Sequence, residues 1–141
     1  MILVVDASVA LKWFLNVGDG EPDREHALTL LNGVDDESVQ LVEPAHFIAE
    51  VAAVLARVKP DVAEDDLLDL LNVEYRTIET QETYARALEL SIRYQHHLFD
   101  TLYHAVALDV PGASLVTADR RYYDKASSEG RIMLLADWSP R

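Results

Sequence analysis

The chain has 141 residues, a net charge of −13 at pH 7, half of its residues hydrophobic and no cysteine. The length suits one domain with one core, and the missing cysteines exclude disulfides and thiolate metal sites, so any metal must be held by oxygen or imidazole nitrogen. No run approaches the ~18 apolar residues that span a bilayer and no basic signal-like segment opens the chain, which points to a soluble, cytoplasmic, single-domain protein over residues 1–141.

Met1 to Val5 is a β-branched apolar run ended by Asp6, the pattern of a strand buried on both faces. A helix is expected over Ser8 to Leu15, broken by Gly18-Asp19-Gly20, and another opening at Glu21-Pro22 and ending near Asn32-Gly33. Val39 to Val42 reads as a second strand. From Pro44 a helix runs to Val58, with Phe47, Val51, Val54, Leu55 and Val58 as its apolar stripe. Asp61 is placed to cap a further helix whose Glu64, Asp65, Asp66 and Asp69 form a solvated face. A weak strand at Thr77 to Glu79 precedes a long helix through Tyr84 and Ile92. Asp100 precedes a helix that stops at Pro111-Gly112, a strand over Ser114 to Thr117 ends in Ala118-Asp119, Arg120 to Ser127 reads as helical, and Arg131 to Leu135 as a last strand. Short strands alternating with helices indicate an α/β fold with a mainly parallel sheet and helices on both faces.

In such sheets ligands bind outside the carboxyl ends of the strands, and Asp6 and Asp119 sit there, although either also suits a helix cap. Glu50 lies at the edge of an apolar stripe, where it reaches solvent, pairs with Arg57 or serves as a ligand; Asp100 is a ligand or an N-cap. Four carboxylates on one rim would repel each other without cations between them, and magnesium favours such oxygen ligands. His96 and His97 read as solvent-exposed, His104 as a packing residue and Asp124 as a surface acid. Lys12, Arg120 and Arg121 are the nearest phosphate contacts by sequence. The overall acidity argues against nucleic acid unless basic residues are gathered locally.

Val5-Asp6-Ala7-Ser8, Ala49-Glu50-Val51, Phe99-Asp100-Thr101-Leu102-Tyr103 and Thr117-Ala118-Asp119 occur in order. Together they resemble the four motifs of PIN domains of the VapC toxin type. The resemblance implies a three-layer α/β/α fold, a site on Asp6, Glu50, Asp100 and Asp119 with Ser8 and Thr117 in support, and Mg2+- or Mn2+-dependent RNA cleavage. It further implies a cognate antitoxin and a homodimer. A haloacid-dehalogenase-like phosphatase would place a second acid where Ser8 stands, and a receiver domain needs an acidic pair where Asp6 stands alone. The remaining alternative is a PIN-like binding module without nuclease activity.

Overall fold

The computed structural model describes residues 1–15 and 21–140. Five strands, β1 (Ile2–Val5), β2 (Gln40–Glu43), β3 (Tyr75–Thr77), β4 (Ala113–Thr117) and β5 (Ile132–Leu134), form one sheet in the order β3-β2-β1-β4-β5. All neighbouring strands are parallel. The apolar run at the N-terminus becomes the central strand because Leu3, Val4 and Val5 are all buried, which requires cover on both faces of the sheet. That cover comes from seven α-helices among the described residues: α1 (Ala7–Ala10), α2 (Arg24–Asp35), α3 (Phe47–Val58), α4 (Ala63–Leu71), α5 (Gln81–Tyr94), α6 (Leu98–Asp109) and α7 (Arg120–Ala126). The result is the expected three-layer α/β/α arrangement.

Several expected boundaries move. The first helix stops at Ala10 and tightens into a 3-10 turn over Leu11–Trp13. The Gly18-Asp19-Gly20 break lies outside the described residues. Pro22 does not open α2, which starts at Arg24 after Asp23 in the left-handed region. Val58, assigned to the buried stripe of α3, is 53% exposed, because the helix outruns the core past Leu55. Asp61 is not a cap: Val62 precedes α4 and makes no side-chain capping bond. The third strand lies two residues earlier than expected, where Leu41 and Glu43 of β2 pair with Tyr75 and Thr77. Asp100 does not precede α6 but lies in its first turn, so the capping alternative for it falls away.

The chain leaves β1 to build β2 and β3 on one side and returns to place β4 and β5 on the other. The carboxyl ends of β1 and β4 therefore flank the point where the strand order reverses, the crevice that open parallel sheets use for ligands.

Candidate active site

Asp6 follows β1 and Asp119 lies two residues beyond β4. Each also caps the next helix: an Asp6 oxygen accepts from the Val9 N–H at 3.3 Å, and Asp119 accepts from the Tyr122 N–H at 3.0 Å. Capping and site placement therefore coexist. The hydroxyls of Ser8 and Thr117 donate one to each oxygen of Asp6. The same hydroxyls accept the N–H of Ala118 and of Asp119, both at 3.0 Å, tying the end of β4 to the end of β1. Asp6 keeps some exposed surface at the rim, yet it is so enclosed that burial raises its carboxyl to about 6 against these stabilising bonds, with the charge of Asp100 adding to the rise.

Glu50 faces the same crevice from the first turn of α3. Its Oε1 accepts from the Tyr103 hydroxyl at 3.1 Å, and its Oε2 lies 3.7 Å from Nε2 of His46; Arg57 is not its partner. Burial first, then the charges of Asp100 and Asp6, raise Glu50 to about 7. Asp100 lies one turn after His96, and ligand atoms of His96, Asp100 and Asp119 lie within 4.8 Å of one another. The four acids singled out in the sequence are thus neighbours, since Asp6 and Glu50 each respond to Asp100 and Asp100 adjoins Asp119.

Two surrounding residues depart from expectation. The His96 side chain is only 7% exposed, and its Nε2 lies 2.9 Å from Asp100 Oδ2 and 4.0 Å from Asp119 Oδ2. The chain turns at Gln95 in the left-handed region, which folds the imidazole back over the site, while His97 stays exposed. Lys125 Nζ is 3.2 Å from His96 Nδ1. An ammonium can only donate, so Nδ1 accepts and Nε2–H points at Asp100. In this arrangement His96 orients a carboxylate; it offers a lone pair to a cation only if Lys125 moves away. Lys12, expected at the rim, is buried, and its ammonium is engaged by Glu21 Oε1 at 2.7 Å and the Pro22 carbonyl at 2.8 Å. It is not available to phosphate. Arg120 and Arg121 are exposed, as is Asp124, and His104 is core, bonded to the Tyr122 hydroxyl and the Gly130 carbonyl.

The sequence reading missed Glu43 and His46. Glu43 is fully buried at the end of β2; Oε1 accepts the Val5 N–H at 2.8 Å, Oε2 has no hydrogen-bond partner among the described residues, and burial holds the carboxyl well above its ordinary range. Its signal is in the sequence, because Glu43 ends a parallel strand just as Asp6 nearly does, but the apolar run itself stops at Val42. His46 precedes α3, donates from Nε2 to the Phe99 carbonyl at 2.7 Å, and packs its ring against Phe99 and Tyr103. No sequence pattern marks it.

The fold is shared with solved structures of toxins and toxin–antitoxin complexes. One is the Mycobacterium tuberculosis sarcin-ricin loop cleaving toxin VapC20, 19% identical, with a TM-score of 0.65 over 92% of this chain and 95% of that one. Another is VapBC2 from Rickettsia felis bound to a DNA fragment from its promoter, 15% identical, with a TM-score of 0.61 over 95% of this chain and 97% of that one. No curated protein sequence gives a significant match. The sequence profile of the PIN domain matches residues 3–127, a span that runs from within β1 to the end of α7 and holds every acid of the crevice, and the chain belongs to the PIN domain family.

Proposed function

We propose that the protein is a divalent-metal-dependent endoribonuclease of the VapC type that hydrolyses RNA phosphodiester bonds. The observation that carries this reading is the meeting of Asp6, Glu50, Asp100 and Asp119 at the strand-reversal crevice, with two of the four carboxylates raised by their surroundings. Acids held in this way fit a cation, because a positive charge among them relieves both the burial and the mutual repulsion. The donor set is oxygen, the chemistry that suits Mg2+ or Mn2+. When bound, such an ion acidifies water and neutralises charge on a phosphate.

The residues themselves supply placement. Ser8 and Thr117 fix both oxygens of Asp6, Tyr103 fixes one oxygen of Glu50, and His96 fixes one of Asp100. Held carboxylates give the site a defined geometry before any ligand arrives, which lowers the cost of ordering it. As a VapC-type toxin, the protein would pair with a cognate antitoxin and form a homodimer in the cytoplasm. Exposed apolar side chains support protein partners: Leu68 and Leu71 on α4 are each 55% exposed, and Tyr84, Leu88 and Ile92 stand four residues apart on α5. Among the described residues no helix is long and apolar enough to cross a membrane.

The net charge of −13 favours a second reading, a PIN module that binds protein and has no nuclease activity. One experiment separates them. Single-stranded RNA and structured tRNA and rRNA loops should be cut, cutting should stop with EDTA and return with excess Mg2+ or Mn2+, and Asp100→Asn should lose it by orders of magnitude while keeping its circular dichroism spectrum. A panel left intact at every metal concentration while a protein partner still binds would favour the binding module instead.

A further inference from the structure

A cavity of about 450 Å³ opens beside the acidic crevice, lined by Ser91, Gln95, His96, His97, Leu98, Arg121 and Lys125. His96 belongs to both places: it lines the cavity, and its Nε2 bonds Asp100. The cavity therefore begins where the acid cluster ends. Its chemistry is the reverse of the crevice, with the guanidinium of Arg121, the ammonium of Lys125 and the imidazole of His97 on its walls and no carboxylate among its lining residues.

This concentration of positive charge stands out in a chain of net charge −13. Lys12, Lys59, Arg86 and Arg93 are committed to ion pairs with Glu21, Asp66, Asp109 and Glu129. Arg24 and Arg131 are turned onto backbone carbonyls. Arg121 and Lys125 make no ion pair among the described residues, and they stand one turn apart on α7, where like charges repel. An anion between them removes that repulsion and gains charge-assisted hydrogen bonds. Lys125 is already drawn toward the crevice, 3.4 Å from the Gln95 carbonyl and 3.2 Å from His96.

We infer that this cavity is a phosphate subsite for the RNA strand, in which Arg121 and Lys125 hold a phosphate neighbouring the one presented to the acids. The inference rests on the ribonuclease reading and adds to it where the strand lies: across His96 and toward α7. It also separates Arg121 from Arg120, its neighbour in sequence, which does not line the cavity.

The test is the salt dependence of binding for a fluorescent single-stranded RNA of about 12 nucleotides, with calcium replacing magnesium, between about 50 and 200 mM salt. Arg121→Ala combined with Lys125→Ala should weaken binding at least tenfold at low salt and reduce the slope of log affinity against log salt by about 0.7, one single-strand phosphate contact. Arg57→Ala combined with Arg76→Ala removes the same charge elsewhere and should keep the wild-type slope. Arg121→Lys combined with Lys125→Arg should restore it. Manganese affinity, measured by calorimetry on the same variants and on Arg121→Ala alone, should stay within about threefold of wild type in Arg121→Ala, whose guanidinium makes no bond to the acids or to His96 among the described residues. If the alanine pair matches the charge control while the wild type cleaves RNA, the subsite is refuted and the nuclease reading stands. If RNA affinity falls only in step with manganese affinity, the pair acts through the acids and the subsite is likewise refuted. If the wild type neither binds nor cuts RNA, the ribonuclease reading fails and takes the subsite with it.

Discussion

Asp6 is held by more hydrogen bonds than any other acid in the crevice, and its carboxyl still lies at about 6 because burial outweighs them. Glu50 lies at about 7 for the same first reason. Both values exceed those of the unfolded chain, so folding takes up protons between roughly pH 4 and pH 7. The sign follows: without metal, stability is highest at the acid end of this window and declines as pH rises through it, reaching its full penalty above about 7. For Asp6 alone the shift corresponds to at most about 3 kcal/mol. Thermal melts in EDTA should therefore show a melting temperature that drops from pH 5 to pH 8 in wild type and drops less in Asp6→Asn combined with Glu50→Gln; a drop of equal size in both would contradict the assignment. Because a cation displaces those protons, manganese binding near pH 6.5 should release them. Calorimetry in buffers of different ionisation enthalpy reads the number released, and a value of zero would oppose this account.

At the scale of elements, the sheet opens toward the site because β1 and β2 stop pairing early. Their register covers Ile2 with Gln40 and Leu3 with Leu41, and beyond it the Glu43 side chain, not the β2 backbone, accepts the Val5 N–H. A side chain in the ladder sets the two strand ends apart just before Asp6. Glu43→Leu leaves a buried N–H unpaired and should cost about 1–3 kcal/mol, whereas Glu43→Gln keeps an acceptor and should cost less than about 1 kcal/mol. Urea unfolding of the two variants decides this, and equal losses would mean the bond carries little. The same place shows the limit of pattern reading. Asp6 and Asp119 were legible because they end apolar strands, but Glu43 required the end of β2 to within one residue, and strand ends are the least certain feature of a sequence. His96 was misread for a related reason: its placement depends on a left-handed turn at Gln95, a non-glycine residue with nothing in its identity to announce it.

For the whole molecule, alternation of strands and helices carried most of the fold, since a parallel sheet needs crossover helices and buried strands need apolar runs. The order of the strands was not legible from pattern alone, because it depends on which side of β1 each crossover returns to. Charge was legible only as a total. The sum of −13 conceals that several lysines and arginines are neutralised by named acids while Arg121 and Lys125 make no ion pair among the described residues. The exposed leucines of α4 and the stripe on α5 predict self-association or capture by a partner. Light scattering should give a dimer mass, and Leu88→Glu combined with Ile92→Glu should return it to the monomer if α5 forms the contact; a dimer that persists places the contact elsewhere.

We propose that four acids drawn from separate parts of the chain, Asp6, Glu50, Asp100 and Asp119, act together in holding divalent metal. Isothermal calorimetry with manganese tests it most directly, using the wild type and the single variants Asp6→Asn, Glu50→Gln, Asp100→Asn and Asp119→Asn, each checked for its fold by circular dichroism. Binding should be measurable in the wild type and at least about tenfold weaker in every variant, because each substitution removes a charge from the shared metal site. Equal affinity across the wild type and the folded variants would contradict it.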